Sequence, residues 1–510
     1  MGRTLASVSS KGSSARTLWE VLTTVAINPS NGKCRTLPIL SLNNQYSRNF
    51  HLSWLGFWVA FLSWFAFSPL IPEAVKSDLE LTSQQIGNSN IISLCATLGV
   101  RLIVGPLVDR YGPRKVMAGL LAIGAIPSGL AGTVKSVQGL YLIRFFIGVL
   151  GGTFVPCQAW TTAFFDNNVV GTANALVGGW GNSGGGFTFI IMVALYDRLV
   201  KDGLSSHTAW RVAFAIVPVP VLLSVSVATL VFGTDRPREK LENHSKASDS
   251  ITHSISHDVE DRADGERSEV KRAPRLSNDE KNNVDHLIAT VPNYEVPDNT
   301  TRHLKRTGLH VLVKPSTWLP SLAYLTTFGY ELAIDANLAN VLFGLYQSNT
   351  FGQTKAGYIA SVFGLLNLFT RPLGGYFGDL VFRKYRVVGK KYWMLACGMM
   401  QGVFSVALGV YIDQKANPSL PAVVVLFTLT AVVNGAANGA NFALVPHCNP
   451  EINGFMSGLV GAMGNLGGVV FALVFRFQPR PFGKAFWLSG IIAAGVNVLL
   501  ALIPVPEIAT

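Results

Sequence analysis

The chain has 510 residues, 49% of them hydrophobic and only 14% charged, with a net charge of +12. So few charges over such a length exclude an ordinary soluble globular protein. The basicity does not mark a nucleic-acid face, because most Lys and Arg gather in a few loops on one side of a series of apolar stretches.

Residues 1–50 are basic and rich in Ser and Thr, with Glu20 the single acid. That composition mimics a transit peptide, but it equally suits a cytosolic tail, which is the reading taken. The N-myristoylation pattern fails at Ala6. Twelve apolar stretches of roughly 20 residues follow, each long enough to span a bilayer. They start near residues 52, 86, 115, 138, 169, 209, 318, 355, 391, 421, 453 and 484. The expected architecture is an all-α polytopic membrane protein with two pseudo-symmetric six-helix bundles, 51–232 and 314–505, and a short tail at 506–510.

The clusters Arg110, Arg114, Lys115 and Arg383, Lys384, Arg386, Lys390, Lys391 follow the second and eighth stretches, on one predicted face. The positive-inside rule puts that face, both termini and the central loop in the cytosol, with the plasma membrane as host. The central segment, 233–313, mixes charges of both signs with few large apolar groups and is expected to be disordered. Within it Arg275-Leu-Ser277 is a candidate kinase target. The sequons at Asn243 and Asn299 fall on the cytosolic side, where they go unused. The five cysteines (34, 95, 157, 397, 448) are scattered without a C-x-x-C pair, so neither a disulfide framework nor a zinc site is expected.

Two elements repeat between the halves. Arg101 is followed by Gly105 and Asp109 with the same spacing that separates Arg371 from Gly375 and Asp379. Gly178-x-x-Gly181-Asn182-x-Gly184-Gly185 matches Gly461-x-x-Gly464-Asn465-x-Gly467-Gly468. Eight residues separate each Arg from its Asp, about 12 Å of helix. The half-thickness of the hydrocarbon core is roughly 15 Å, so both arginines are expected near the midplane. A charge there costs about 2.5–3.5 kcal/mol on insertion scales and marks a functional site by default. A pair related by internal symmetry points to one site between the halves.

The acids inside the stretches are Glu331 and Asp335, against three arginines, 101, 144 and 371. Purely internal pairing leaves positive charge over, and a mobile anion would compensate it. Gly179-Trp-Gly181-Asn-Ser-Gly184 matches a dinucleotide fingerprint in letters only, since no strand precedes it. Its glycines suit close helix packing, and they leave Asn182 and Asn465 free to donate to a ligand. Guanidinium is planar, forked and permanently charged, and suits a planar oxyanion. With Phe154 and Tyr330 as flanking aromatics, the residues themselves point to a small planar anion. No metal cluster, cofactor fingerprint or nucleophile–base arrangement suggests an enzyme.

The loop Gly105-Pro-Leu-Val-Asp109-Arg110-Tyr-Gly112-Pro-Arg114-Lys115 and the segment Tyr-Leu-Ile-Arg144-Phe-Phe-Ile-Gly148 resemble signatures of the major facilitator superfamily. Ala-Asn-Ala-Leu-Val-Gly-Gly-Trp-Gly-Asn182-Ser-Gly-Gly-Gly resembles the signature of its nitrate/nitrite porter family. Asn438-Gly-Ala-Asn-Phe-Ala-Leu-Val-Pro with Gly-Ala-Met-Gly-Asn465-Leu-Gly-Gly resembles the second copy, in the form of the fungal high-affinity members. Ser68 departs from the paired prolines that the family pattern leads one to expect.

The resemblance implies the major facilitator fold and import of nitrate, with nitrite, by proton symport and alternating access. It implies that Arg101 and Arg371 clamp the anion, that Asn182 and Asn465 line its path, and that Phe154 and Tyr330 pack on it. It makes Asp109 and Arg110 a cytosolic charge latch between helices 2 and 11. Glycines 181, 184, 185, 464, 467 and 468 would allow helix sliding. Glu331 and Asp335 are the candidate proton carriers, or else neutralise an arginine in the empty site; His447 and Arg144 are weaker candidates. Nitrate/nitrite exchange, a nitrite-preferring carrier, or a nitrate-sensing receptor signalling through the central loop are the alternatives.

Overall fold

A computed structural model describes residues 18–70, 74–237, 311–348, 350–449, 452–478 and 480–505. The central segment with its kinase motif and sequons lies outside the described residues, apart from its edges, and so do 1–17 and 506–510. The chain divides into Met1–Arg236 with Leu312–Thr510, and Pro237–Val311; every membrane helix belongs to the first.

The amino-terminal bundle comprises α1 (Gln45–Trp64), α2 (Ser83–Tyr111), α3 (Pro113–Leu130), α4 (Val137–Phe164), α5 (Val170–Lys201) and α6 (Ser206–Phe232). In the second bundle α7 is Pro315–Tyr346, α10 Leu420–Cys448, α11 Asn453–Phe477 and α12 Phe482–Leu500. Between them runs one uninterrupted stretch, Gln353–Gln414, of 62 residues. At 1.5 Å per residue that is about 93 Å, three times the hydrocarbon core. It folds as two spans, α8 (353–385) and α9 (387–414), because Arg386 leaves helical geometry with φ 53 and ψ −146. Among the described residues nine helices are long and apolar enough to cross a membrane, Lys355–Gln414 being one of them. Dividing that one at Arg386, and adding α1 and the polar-studded α7, gives the twelve expected.

Local chemistry sets the boundaries. Thr82 and Gln85 form a reciprocal capping box that starts α2. Gly112, at φ +86, turns the chain out of α2, and Pro113 starts α3 at the position where a missing N–H costs nothing. In α4 the segment Gly148–Thr153 tightens to a 3-10 turn.

Residues 18–44, within the expected cytosolic tail, pack on the amino-terminal bundle. Cys34 exchanges backbone hydrogen bonds with Phe164 and Asp166, in the connection between α4 and α5. Asp166 accepts from Asn28 Nδ2 (3.0 Å), Asn31 Nδ2 (3.4 Å) and Arg35 Nε (3.4 Å). Burial pushes its carboxyl up, but the Asn167 amide and these three side chains outweigh burial and hold it below its usual value.

Two carboxylates join the bundles, both at the end carrying the α2–α3 and α8–α9 loops. Asp109, on α2, accepts from the backbone N–H of Gly454 (3.0 Å) and Phe455 (2.9 Å) at the start of α11. Asp379, on α8, accepts from the N–H (2.6 Å) and hydroxyl (2.8 Å) of Thr172 at the start of α5. Each satisfies orphan donors at a helix N-terminus and meets the positive end of that helix's dipole. Arg110 takes no part in the latch: its guanidinium lies over the Tyr111 ring at 5.2 Å. A helix N-terminus already offers the carboxylate both donors and positive potential, so no cation is needed. The second latch adds a cation of its own. Lys390, expected in a solvent-facing basic cluster, is buried with Nζ 2.8 Å from Asp379 Oδ1, 3.1 Å from the Ala443 carbonyl and 3.0 Å from His447 Nε2. Lys391 caps the end of α12 through the Ala501 and Ile503 carbonyls, both at 2.7 Å.

Loss of a cap typically costs about 1–2 kcal/mol, a factor of roughly 5–30 in an opening equilibrium. Asp109→Ala and Asp379→Ala are each expected to speed maleimide labelling of Cys448, buried at this end, by about that factor when it is the one cysteine retained; unchanged labelling in both would refute the latch. Arg386→Gly removes a left-handed conformation that costs an L-residue about 1–2 kcal/mol. It is expected to raise the apparent melting temperature in detergent by about 1–2 °C, and a fall would show that the bend depends on the arginine side chain.

Candidate functional site

Arg101 reaches the centre of the molecule from α2 because α4 and α11 let it in. Small residues bring the backbones close: a Cβ at Gly148 would come within 2.7 Å of the Ser93 carbonyl, and one at Gly458 within 2.7 Å of the Arg101 carbonyl. The guanidinium then bonds to carbonyls from both bundles. Nε donates to Gly151 (2.9 Å), in the tightened turn of α4, and Nη1 to Gly461 (2.8 Å), on α11. Arg101 is 0% exposed, and no carboxylate pairs with it among the described residues. Its Nη2 has no hydrogen-bond partner. The cation lies over the Phe154 ring at 4.8 Å and the Phe328 ring at 5.3 Å, contacts worth about 2 kcal/mol when desolvated.

Arg371, on α8, lies 5.4 Å from the same Phe328 ring. Its charge is answered. Nη2 is 2.8 Å from Glu331 Oε2, and Nε donates to Asn367 Oδ1 at 2.8 Å. Glu331, on α7, also accepts from Asn367 (2.9 Å), Asn438 (2.7 Å) and Asn182. Internal pairing therefore describes Arg371, whereas Arg101, like Arg144 elsewhere in the amino-terminal bundle, has no carboxylate partner among the described residues. A buried ion pair needs such extra hydrogen bonds to offset desolvation.

Asn182 reaches across the bundles, whereas Asn465 bonds within its own helix. Asn182, on α5, donates to the carboxylate that pairs with Arg371. Asn465, on α11, donates at 3.0 Å to the Gly461 carbonyl that also receives Arg101. The Oδ1 atoms of Asn182, Asn438 and Asn465 are buried without partners. The glycines around them hold α5 on α1 and α11 on α7. Gly181 and Gly184 abut Phe57 and Trp58, and Gly185 faces Phe65. Gly464 faces Tyr324 and Phe328, Gly467 the backbone of Leu325, and Gly468 lies under Leu332 and Leu94.

Of the two expected aromatics, Phe154 lies against Arg101 and Tyr330 does not reach the site. Tyr330 bonds Ser405 through its hydroxyl (2.8 Å) and turns its ring to Phe471. On the long helix α7 the face towards the arginines is that of Tyr324, Phe328 and Glu331, spaced four and three residues apart, and Tyr330 falls off it. Tyr324 and Phe328 stack on each other (4.8 Å, 8°) and run nearly parallel to Phe154, with Phe442 edge-on to Tyr324 and Phe154. The spacing Tyr324, Phe328, Glu331 was the available signal for this face. Asn367 and Asn438 carried a weaker one, as amides inside apolar helices.

The remaining candidates lie apart. Asp335 borders a narrow gap with Phe65, Gly185 and Ser361. Arg144 is 5% exposed, over the Phe67 ring at 5.8 Å. His447 joins the Lys390 latch, its ring stacked on Phe382. No group of His, Cys, Asp and Glu that could hold a metal occurs among the described residues. The arrangement is a buried group of stacked aromatic rings against which two guanidinium groups lie, with a carboxylate for one of them.

Comparison with known proteins follows this geometry. The Major Facilitator Superfamily model matches residues 53–334 and 325–510. High affinity nitrate transporter 2.5 of Arabidopsis thaliana is 31% identical over 481 residues, 94% of this chain and 84% of that protein. Nitrate transporter 2.2 of Chlamydomonas reinhardtii is 28% identical over 470 residues, 92% of this chain and 78% of that one. Among solved structures the proton:xylose symporter XylE, bound to 6-bromo-6-deoxy-D-glucose, superposes with a TM-score of 0.59 at 14% identity, over 90% of this chain and 96% of its own. With its two six-helix bundles, and relatives over nearly its whole length, the chain belongs to the major facilitator superfamily and is kin to its high-affinity nitrate transporters.

Proposed function

We propose that the protein imports nitrate, and nitrite with it, by proton symport, binding the anion between Arg101 and Arg371. One observation carries the reading: Arg101 is a fully buried cation with no carboxylate partner and an idle Nη2, facing the same ring as Arg371. A small planar anion would take that donor and stack beside Phe328. The names of the relatives support nitrate as that anion.

Arg371 can join the clamp only if Glu331 lets go. A proton on Glu331 would release it, and the incoming anion would take its place on the guanidinium. The charge of the pocket is then the same empty and loaded, which lets the bundles rock around it in both states. Bringing an anion into a negative cell is uphill by about 2.3 kcal/mol per charge per 100 mV. One proton cancels that term, and a second makes the cycle inwardly driven. Asp335, one turn from Glu331 on α7, is the candidate second carrier. The basic loops and both latches lie on the cytosolic side in this reading, in the plasma membrane. Residues 275–277 remain a proposed kinase target.

Tracer nitrate uptake with Arg101→Lys and Arg371→Lys tests the clamp. Lys keeps the charge but loses the planar fork, and uptake should fall at least tenfold at equal surface expression, the equivalent of about 1.4 kcal/mol. Wild-type uptake in both would refute it. Glu331→Gln should abolish nitrate-evoked proton currents while leaving counterflow between preloaded proteoliposomes. Currents of normal size would remove Glu331 as a carrier, and wild-type uptake that ignores a pH gradient but needs internal nitrite would replace symport by exchange.

A further inference from the structure

At the end opposite the latches, a cavity of about 520 Å³ opens between α2, α7, α11 and the start of α12. These are the helices that carry Arg101, Glu331 and Asn465. The cavity lies on their continuation: Leu94 is two turns from Arg101, about 10 Å along α2, and Ala336 is five residues beyond Glu331, about 7–8 Å along α7. Leu94 and Leu332, which both pack over Gly468, form an apolar floor between cavity and site.

The lining is chemically one-sided. It holds two cations, Lys76 and Arg476, and five amides, Gln84, Asn90, Asn337, Asn340 and Gln478, with no carboxylate among its described residues. Both cations are exposed, and neither forms an ion pair among the described residues. Arg476 Nη1 holds the amide oxygen of Asn88 at 2.6 Å, a neutral partner that leaves its charge intact. Of the described acids in the connection before α2, Glu80 is exposed and does not line the cavity, and Asp78 is committed elsewhere: it accepts from Arg211 Nη1 (2.5 Å), Trp210 Nε1 (3.0 Å) and His207 Nδ1 (2.5 Å). Burial pushes the Asp78 carboxyl up, and those three bonds outweigh it and keep it ionised.

We propose that this cavity is an antechamber that captures the anion before it reaches the arginine pair, with Lys76 and Arg476 as capture residues and a small monovalent oxyanion as ligand. The proposal takes its ligand from the nitrate reading, but the site itself stands on its own lining. A cleft of one charge sign with low-dielectric walls raises the local concentration of counter-ions and the rate of encounter by 10-fold or more. Amides supply hydrogen bonds without trapping the ion as a second guanidinium would. The floor of Leu94 and Leu332 then separates a wet, weak site from a dry, strong one.

Lys76→Gln and Arg476→Gln are each expected to lower kcat/KM for nitrate uptake about 3–10-fold at low ionic strength with kcat unchanged. The loss should shrink toward parity in high salt, because exposed charges are screened over a Debye length of about 3 Å at 1 M. Arg476→Lys should keep most of the wild-type value. Asn88→Ala, which breaks the bond between α2 and α11 but leaves the charge, should leave kcat/KM unchanged. Loss of kcat/KM in Asn88→Ala equal to that in Arg476→Gln, or a salt-independent fall in kcat, would make Arg476 a structural tie and overturn the proposal. Bromide soaked into crystals of the intact protein gives a second reading independent of transport. An anomalous peak between Lys76 and Arg476, lost in the double Gln variant, is expected, and no peak in wild type overturns the proposal. If wild type moves no nitrate yet keeps the bromide peak, the nitrate assignment fails and the anion site stands.

Discussion

Two guanidinium groups lie buried in the centre of this molecule, and only one of them, Arg371, has a carboxylate partner. Charges this deep persist only if hydrogen bonds and partners replace water. Arg371 has that replacement in full, from Glu331 and Asn367. Arg101 has two carbonyls and two aromatic faces but no anion. Much of the local architecture follows from providing for these cations. The tightened turn of α4 offers the Gly151 carbonyl, Gly461 offers its own across the bundle interface, and the stack of Phe154, Tyr324 and Phe328 fills the space between.

The same symmetry governs the latches, and there too the copies have diverged. Asp109 and Asp379 each hold the start of a helix from the other bundle, so the two bundles are joined through backbone N–H donors. The second latch alone has a buried lysine and a histidine behind it. With both latches made, the interface between bundles is shut at one end, while the other end holds the Lys76 and Arg476 cavity.

Charged and amide residues inside apolar runs were easier to single out in the sequence than the aromatic ones. Arg101, Arg371, Asp109 and the paired asparagines stand out because a polar group in a twenty-residue apolar run has few reasons to be there. Tyr330 misled because aromatic residues are common in membrane helices, and adjacent positions on α7 point in directions about 100° apart. Arg110 misled for a related reason: a basic residue beside an acid suggests a pair, whereas the acid's partners were backbone donors more than three hundred residues away. Lys390 looked like one more loop cation, and only the approach of α8, α9 and α10 buries it against Asp379.

What the amino-acid order determined alone is the number of spans, the internal repeat, and the presence of more intramembrane cations than acids. Those properties are local: apolar run length, spacing and charge count need no folding to be read. Which arginine is neutralised, which ring both arginines approach, and which residues line the cavity were decided by packing of helices distant in sequence. Hydrogen-bond partners such as Glu331 with Asn182 and Asn438 are set by helix rotation and crossing. These depend on how all the small residues along the seams let the backbones approach.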